Sequence, residues 1–517
     1  MTKRLFAVFA LLALALASTP AAAQARRSPT PASPEGAAPE KGKEKEKEKK
    51  EEEKPPSVTH HTMTLAGKPF AYTATAGYMP MRDENGKLKA NIFYVAYTKD
   101  GVSKERPITY AFNGGPGSSS VWLHLGAIGP KRVLLTDEGW APPPPYRLVD
   151  NEQTWLAFTD VVFIDPVTTG FSRPAEGEKP EQFHGLEEDL QSVGDFIRLW
   201  TTRNGRWASP KFLAGESYGT TRAAGLSGYL QNRHGMYLNG IVLMSTILNF
   251  QTARFDVGND LPYVLFLPSY TAAAWYHKKL PSDLAASLPK ALEESEKFAA
   301  GAYTLALGKG ADLPAPERQQ TVQELARLTG LSAEYVDEHD LRLALQDFNR
   351  ELLRKERRVV GRLDGRFSAP ERGGDGISSD PSYAAIYGPF TAMLNDYVES
   401  ELKYENDLPY EILTDRVRPW SYATYENRYV NVAERLRGAM TQNPALKVLV
   451  AAGYYDFATP YFAAQYTFEH MGLDPSLQKN IRIEHFEAGH MMYIHKPSLE
   501  KLTKDVAAFY GAAVGGK

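Results

Sequence analysis

The stretch "KFLAGESYGTTRAAGLSGYLQ", Lys211 to Gln231, decides how this chain is read. Its first residues, Lys211 to Ala214, form the pattern of a short buried strand, and Thr220 to Gln231 that of a helix. Between them sits Gly215-Glu216-Ser217-Tyr218-Gly219, a G-x-S-x-G in the strand–turn–helix context that this motif requires. The glycines are needed because such a turn holds its serine in a strained conformation with neighbours crowding the backbone. The turn lifts the hydroxyl out of the sheet, and the following helix aims its N-terminal amides at whatever lies above. A plain strand-to-helix turn has the same outline. The motif gains chemical meaning only from partners elsewhere in the chain.

A serine hydroxyl is a poor nucleophile without a base, and the base needs an orienting acid. Where this turn is used for catalysis, acid and histidine follow the serine at later strand ends. "KVLVAAGYYDFATPY" places Asp456 just past a buried strand, and "IRIEHFEAGHMMYIH" places His490 in a glycine-preceded turn past the next one. Among 11 histidines, His490 alone combines a strand-end position with a flanking glycine. His485 falls within the strand, where a core or surface role suits it, and His495, in the helix-like segment beyond, is a competing candidate for the base. Alone, Asp456 fits a loop carboxylate capping the next turn. In series with Ser217 and His490 it fits a catalytic triad.

A second glycine cluster lies upstream in "AFNGGPGSSS", Ala111 to Ser120. A phosphate cradle, an anion-binding turn and a purely structural loop all match its composition. The phosphate cradle fails, because no Lys-Ser/Thr follows the glycines. The cluster ends a strand one α/β unit ahead of the serine. Gly114 and Gly115 can therefore bring a backbone N–H to a substrate oxygen, with the Tyr218 amide as the second donor. Each such donor lowers an acyl-transfer barrier by about 3 kcal/mol.

Outward from these motifs, strand-like runs open the body: "VTHHTMTL", "KPFAYTATAGYM" and "NIFYVAYT", the last two joined through an Asn-Gly turn signal. Short apolar runs of the kind buried on both faces follow: "PITYAF", "DVVFIDP", "KFLAG", "GIVLMST", "KVLVAAG" and "IRIEHF". Amphipathic stretches separate several of them; one sets Leu186, Leu190, Val193, Ile197 and Trp200 on a single helical face. This alternation predicts a mostly parallel α/β sheet. It breaks from Gln251 to about Tyr422, where the helical period dominates, interrupted by "GRLDGRFSAPERGGDGISSD". The reading is one α/β domain in two parts, 58–250 and 423–517, with a helical insertion over 251–422. A lid over a site and an oligomer contact fit the insertion equally.

The ends and the bulk composition exclude several classes. Lys3 and Arg4 precede an apolar run from Leu5 to Ala17 and then Ala21 to Ala23, the layout of a secretory signal over 1–23 that is too short to span a bilayer. Residues 24–57 read as a solvated spacer; Glu40 to Lys54 holds seven Glu and seven Lys, so it is no basic arm for nucleic acid. The net charge of −3 argues the same way. With no cysteine, the chain has no disulfide, thiolate nucleophile or Cys-ligated zinc, which suits a bacterial periplasm or exterior. No transmembrane anchor, metal or cofactor is expected.

"NGGPGSSS", "GESYG", "GYYDFATP" and "AGHMM", in this order, resemble the serine carboxypeptidase family of α/β-hydrolases. "NEQTWLAFTDVVFIDPVTTGFSRP" is similar to the family's segment after the glycine-rich turn. The likeness covers about 90–250 and 445–500. It implies an α/β-hydrolase fold, with Ser217 as nucleophile, His490 as base, Asp456 as its orienter, and the Gly115 and Tyr218 amides as oxyanion hole. It implies also that Asn113 and Glu216 hold the terminal carboxylate of a peptide substrate, Glu216 in its protonated form. Three positions depart from the family pattern. Ala111 stands in place of a Trp, Ser118 in place of a Cys, and Ala127 in place of the Glu that would share a proton with Glu216. His124 and Arg132 are candidate replacements, for which a plain structural role serves as well. The resulting expectation is an exported, bacterial serine carboxypeptidase acting on peptides with a free C-terminus. Its rivals are an esterase or acyltransferase on the same scaffold and a catalytically silent binding protein.

Overall fold

The computed structural model describes residues 55–371 and 380–515. The expected signal sequence over 1–23 lies outside the described residues, as does all of the expected spacer but its last three positions. The longer strands of the main sheet are, in chain order, β1 (Ser57–Leu65), β2 (Lys68–Arg82), β3 (Leu88–Lys99), β4 (Ile108–Phe112), β5 (Asp160–Ile164), β6 (Lys211–Ser217) and β7 (Gly240–Thr246). After a separate hairpin of β8 (Arg358–Val360) and β9 (Ser368–Pro370), the sheet is completed by β10 (Lys447–Gly453) and β11 (Ile481–Phe486).

Spatially the order is β1-β2-β3-β5-β4-β6-β7-β10-β11. The first three strands form an antiparallel meander, and β3 meets β5 antiparallel. From β5 onward every pairing is parallel. Six strand C-termini therefore share one edge, where open α/β sheets bind their ligands. The Asn-Gly signal works as expected: Gly86 takes a φ of +84°, and the Asp83 carboxylate accepts from the amides of Asn85 and Lys87.

Alternation along the strands divides the core in two. Leu213, Ile241, Leu243, Val448 and Val450 face the helices Leu186–Arg203 (α1), Tyr218–His234 (α2) and, later in the chain, Ala433–Gln442. Phe212, Ala214, Val242, Met244, Leu449 and Ala451 face the other way, toward the helices Pro381–Ser400 and Lys496–Val514. The five apolar residues foreseen on α1 are all buried. The run "IRIEHF" is a correction. As β11 it ends the sheet among the described residues, where no strand pairs beyond it, and most of its side chains are only partly covered rather than buried on both faces.

Between β7 and β10, helices α3 (Leu261–Tyr276), α4 (Leu288–Phe298) and α5 (Ala315–Thr329) gather around a third apolar cluster that also takes in Phe457, the residue after Asp456. The turn and second strand of the β8–β9 hairpin come from the stretch that interrupts the helical pattern. Its connecting turn reaches the sheet's C-terminal edge.

Candidate active site

Ser217 ends β6 at φ +60° and ψ −130°, a region that costs a non-glycine residue about 1–3 kcal/mol. The neighbouring glycines make this turn possible by close approach. A Cβ on Gly215 would lie 2.2 Å from the Gly219 carbonyl oxygen, and one on Gly219 would lie 2.8 Å from the Phe112 oxygen. Tyr218 is the first residue of α2, so its N–H has no carbonyl to bond within the helix. Gly114 is pressed against that same point: a Cβ there would stand 2.4 Å from the Tyr218 nitrogen. The glycine-rich turn and the serine turn are thus packed backbone to backbone, which any side chain at Gly114 would prevent.

Asp456 lies just past β10 and is fully buried. One carboxylate oxygen accepts from the amides of Ala458 (2.7 Å) and Thr459 (3.0 Å), the other from the Thr459 hydroxyl (2.7 Å). The second oxygen also meets His490 Nδ1 at 2.8 Å. The same carboxylate therefore caps its turn and contacts His490. Burial works against a charged His490 imidazole, but the Asp456 carboxylate outweighs it and holds the ring above its ordinary pKa. The His490 carbonyl accepts from the Ser245 hydroxyl at 2.5 Å, where β7 makes a local register shift.

Ser217 and His490 line one cavity of about 480 Å³, together with Asn113, Gly114, Gly115 and Glu216. Its apolar wall includes Trp122, Tyr383, Ile386 and Met491. Asn113 is 1% exposed. Its Oδ1 accepts from the Leu123 amide, its carbonyl accepts from Arg222 Nη1 at 2.6 Å, and Asp189 pairs with that guanidinium at 2.7 Å. The Asn113 Nδ2 is left without a well-formed partner, although it lies near enough to Glu216 to help lower that group's pKa. A buried donor without a partner, on a residue that lines the cavity, suits an anionic guest.

Glu216 is buried, and loss of solvent raises its pKa to about 7; His490 and the Tyr493 hydroxyl pull it down while Asp456 pushes it up. Tyr493 donates a hydrogen bond to Glu216 Oε2. This partner occupies the role for which His124 and Arg132 were candidates, and neither of those reaches the cavity. His124 bonds to the Tyr97 hydroxyl, stacks on Phe163 at 4.3 Å, and is lowered to about 3 by burial. Arg132 pairs with Glu152 at 3.6 Å, away from the serine. His485 stacks on Tyr454, and His495, just before the C-terminal helix, bonds the Ser498 hydroxyl. Two residues were not foreseen: Tyr493, behind the cavity as the Glu216 partner, and Arg362, a cavity residue whose guanidinium has no carboxylate partner among the described residues.

The insertion braces this edge. Thr414 N donates to the Gly117 carbonyl at 3.0 Å and Ser119 N to that of Ile412 at 2.9 Å. Among the described residues, no group of three His, Asp or Glu is arranged to hold a metal ion, and no helix is long and apolar enough to cross a membrane. A serine held at a strained strand end, a histidine tied to a carboxylate, and a buried amide beside a carboxyl whose pKa burial raises lie at one edge of the sheet, an arrangement suited to acyl transfer.

The family model described as serine carboxypeptidase matches residues 65–498. The pheromone-processing carboxypeptidase KEX1 of Sordaria macrospora is 31% identical over 145 residues, 28% of this chain and 20% of that protein. Serine carboxypeptidase-like 45 of Arabidopsis thaliana is 25% identical over 197 residues, 36% of this chain and 40% of that protein. The chain thus spans well under half the length of these relatives. The crystal structure of a prohormone-processing carboxypeptidase from Saccharomyces cerevisiae superposes with a TM-score of 0.54 at 17% identity, covering 84% of this chain and 91% of that one, and shows the shared α/β-hydrolase fold.

Proposed function

The chain belongs to the serine carboxypeptidase family, and from that premise we propose that it is a serine hydrolase releasing C-terminal residues from peptides through an acyl-enzyme. Ser217 Oγ attacks the carbonyl carbon of the last peptide bond while its proton passes to His490. Asp456 keeps the imidazole oriented and stabilises its charged form. The Gly115 and Tyr218 amides receive the oxyanion. Collapse breaks the C–N bond, and the leaving amine takes the proton from His490. Water then attacks the acyl group with His490 again as base, and Ser217 regains its proton as the shortened peptide leaves. These steps need no cofactor or metal ion.

The observation that carries the exopeptidase reading is the unpartnered Asn113 amide beside buried Glu216, in the same cavity as Ser217. A substrate carboxylate accepts from Asn113 and from protonated Glu216. The insertion over 251–422 acts as the cap between core parts 58–250 and 423–517, since Arg362, Tyr383, Ile386 and Leu413 of the cavity wall come from it. Export rests on the N-terminal signal pattern. Bacterial origin rests on the cysteine-free composition alone; the relatives named above are fungal and plant.

Comparing a blocked dipeptide with its C-terminal amide tests the proposal. The free acid is expected to be preferred by at least about 100-fold in kcat/KM, because an amide leaves the buried Asn113 and Glu216 groups mispaired. Equal rates would contradict it and favour the esterase or acyltransferase reading.

The pH profile gives a separate check. Activity rises as His490 loses its proton and falls as Glu216 loses its own near pH 7, so kcat/KM on the free acid is expected to be bell-shaped. Glu216→Gln should abolish the falling limb, because the amide cannot ionise. Tyr493→Phe removes a hydrogen bond that stabilises the charged carboxylate, and should move that limb to higher pH. An unchanged profile in Glu216→Gln removes Glu216 from substrate recognition.

A further inference from the structure

The turn Gly361–Phe367, which joins β8 to β9, touches the backbone on both sides of the proposed Asp456–His490 pair. The Phe457 amide donates to the Arg362 carbonyl at 3.1 Å, and the Gly365 amide donates to the Tyr455 carbonyl at 2.9 Å. Asp456 lies between those two residues. On the other side, the His490 amide donates to the Leu363 carbonyl at 2.6 Å. The Gly489 amide donates to the Asp364 carboxylate at 3.0 Å. One seven-residue turn therefore bonds next to the acid and at the base.

Asp364 is built for a fixed position. Its carboxylate pairs with Arg366 at 2.7 Å, with both side chains only 4% exposed, and Arg366 Nε adds a bond at 3.0 Å. A buried charge held by such a fork has one low-energy arrangement. The turn is anchored from the insertion as well: Asp380 accepts from the Arg362 amide at 3.2 Å, and the Ser382 hydroxyl from that of Leu363 at 3.0 Å. Gly489 is required by contact, since a Cβ there would fall 2.4 Å from Asp364 Cβ.

We propose that Asp364, locked by Arg366, is a positioning residue that fixes the Gly489–His490 peptide so that the imidazole stays aligned between Asp456 and Ser217. It touches no substrate. The inference rests on the triad reading above and makes the insertion part of the catalytic geometry as well as a cavity wall.

The test uses the full chain with Asp364→Ala and Arg366→Lys, assayed on the blocked dipeptide well below each variant's Tm. Asp364→Ala is expected to lower kcat about 100-fold with KM changed less than about threefold, the signature of a misplaced catalytic group. Arg366→Lys keeps the charge, loses the fork, and is expected to lower kcat about 10-fold. The groups that act on His490 are Asp456 and Glu216, which raise its pKa, and Arg362, which lowers it. A slackened bond to Asp456 should therefore move the rising limb of the pH profile to lower pH in both variants. A merely structural role would lower Tm and leave that limb and kcat in place. Folded Asp364→Ala with kcat within threefold of wild type overturns the proposal; where that variant does not fold, an unaffected Arg366→Lys overturns it instead. Wild type that fails to react with a fluorophosphonate overturns the triad reading itself, and with it this proposal.

Discussion

Ser217→Ala is expected to lower kcat about 10⁶-fold, the scale on which removing the nucleophile of a triad acts. The remaining activity would come from the oxyanion donors and substrate binding alone. The fold should survive the change, because the Ser217 hydroxyl lines the cavity and supports no other element. Its backbone conformation is imposed by Gly215, Gly219 and the packing of Gly114, and alanine accepts φ +60° at a cost similar to that of serine. KM should change little, since Asn113 and Glu216 remain in place. Circular dichroism and Tm close to wild type, with kcat lost, would separate chemistry from folding. A decrease under about tenfold would mean that another group performs the attack.

Asp456→Asn is expected to cost about 10⁴-fold in kcat. The carboxylate accepts four hydrogen bonds, from two amides, one hydroxyl and His490. An asparagine oxygen still satisfies the Ala458 and Thr459 amides, so the turn keeps most of its support. Its NH₂ group faces His490 Nδ1 and forces that nitrogen to accept rather than donate. The proton then sits on the nitrogen that must receive one from Ser217, and the base is disabled. Loss of the acceptor for the Thr459 hydroxyl adds a stability cost of about 1–3 kcal/mol, which a melting curve would register. Near-normal kcat in the folded variant would show that Asp456 only caps its turn.

The proposed catalytic residues were legible because each sits at a strand end whose position local pattern sets. Ser217 ends β6, Asp456 and His490 follow β10 and β11, and Asn113 follows β4. Parallel strands bring those ends to one edge whatever the intervening chain does. Residues placed by tertiary contact alone were hidden. Tyr493 meets Glu216 across 277 positions, and nothing in "MMYIH" marks one tyrosine as the proton partner. His124 fitted the missing role by charge and proximity in sequence, yet its own helix turns the ring into the core against Tyr97 and Phe163. Arg362 and Asp364 lie in a Gly-, Arg- and Asp-rich stretch that reads as a break between helices. Its function as a bracket emerges only when the hairpin meets two loops about a hundred residues away. The strand "IRIEHF" was misread for a related reason: apolar spacing marks a strand but does not say whether a neighbour covers it.

Covalent labelling with a fluorophosphonate, followed by mass spectrometry of the digested protein, tests the central claim most directly. The account predicts one phosphonyl group per folded chain, on the peptide containing Ser217, with peptidase activity lost in proportion to labelling. Stoichiometric labelling at any other serine with full loss of activity, or a folded, active protein that takes up no label, would contradict it.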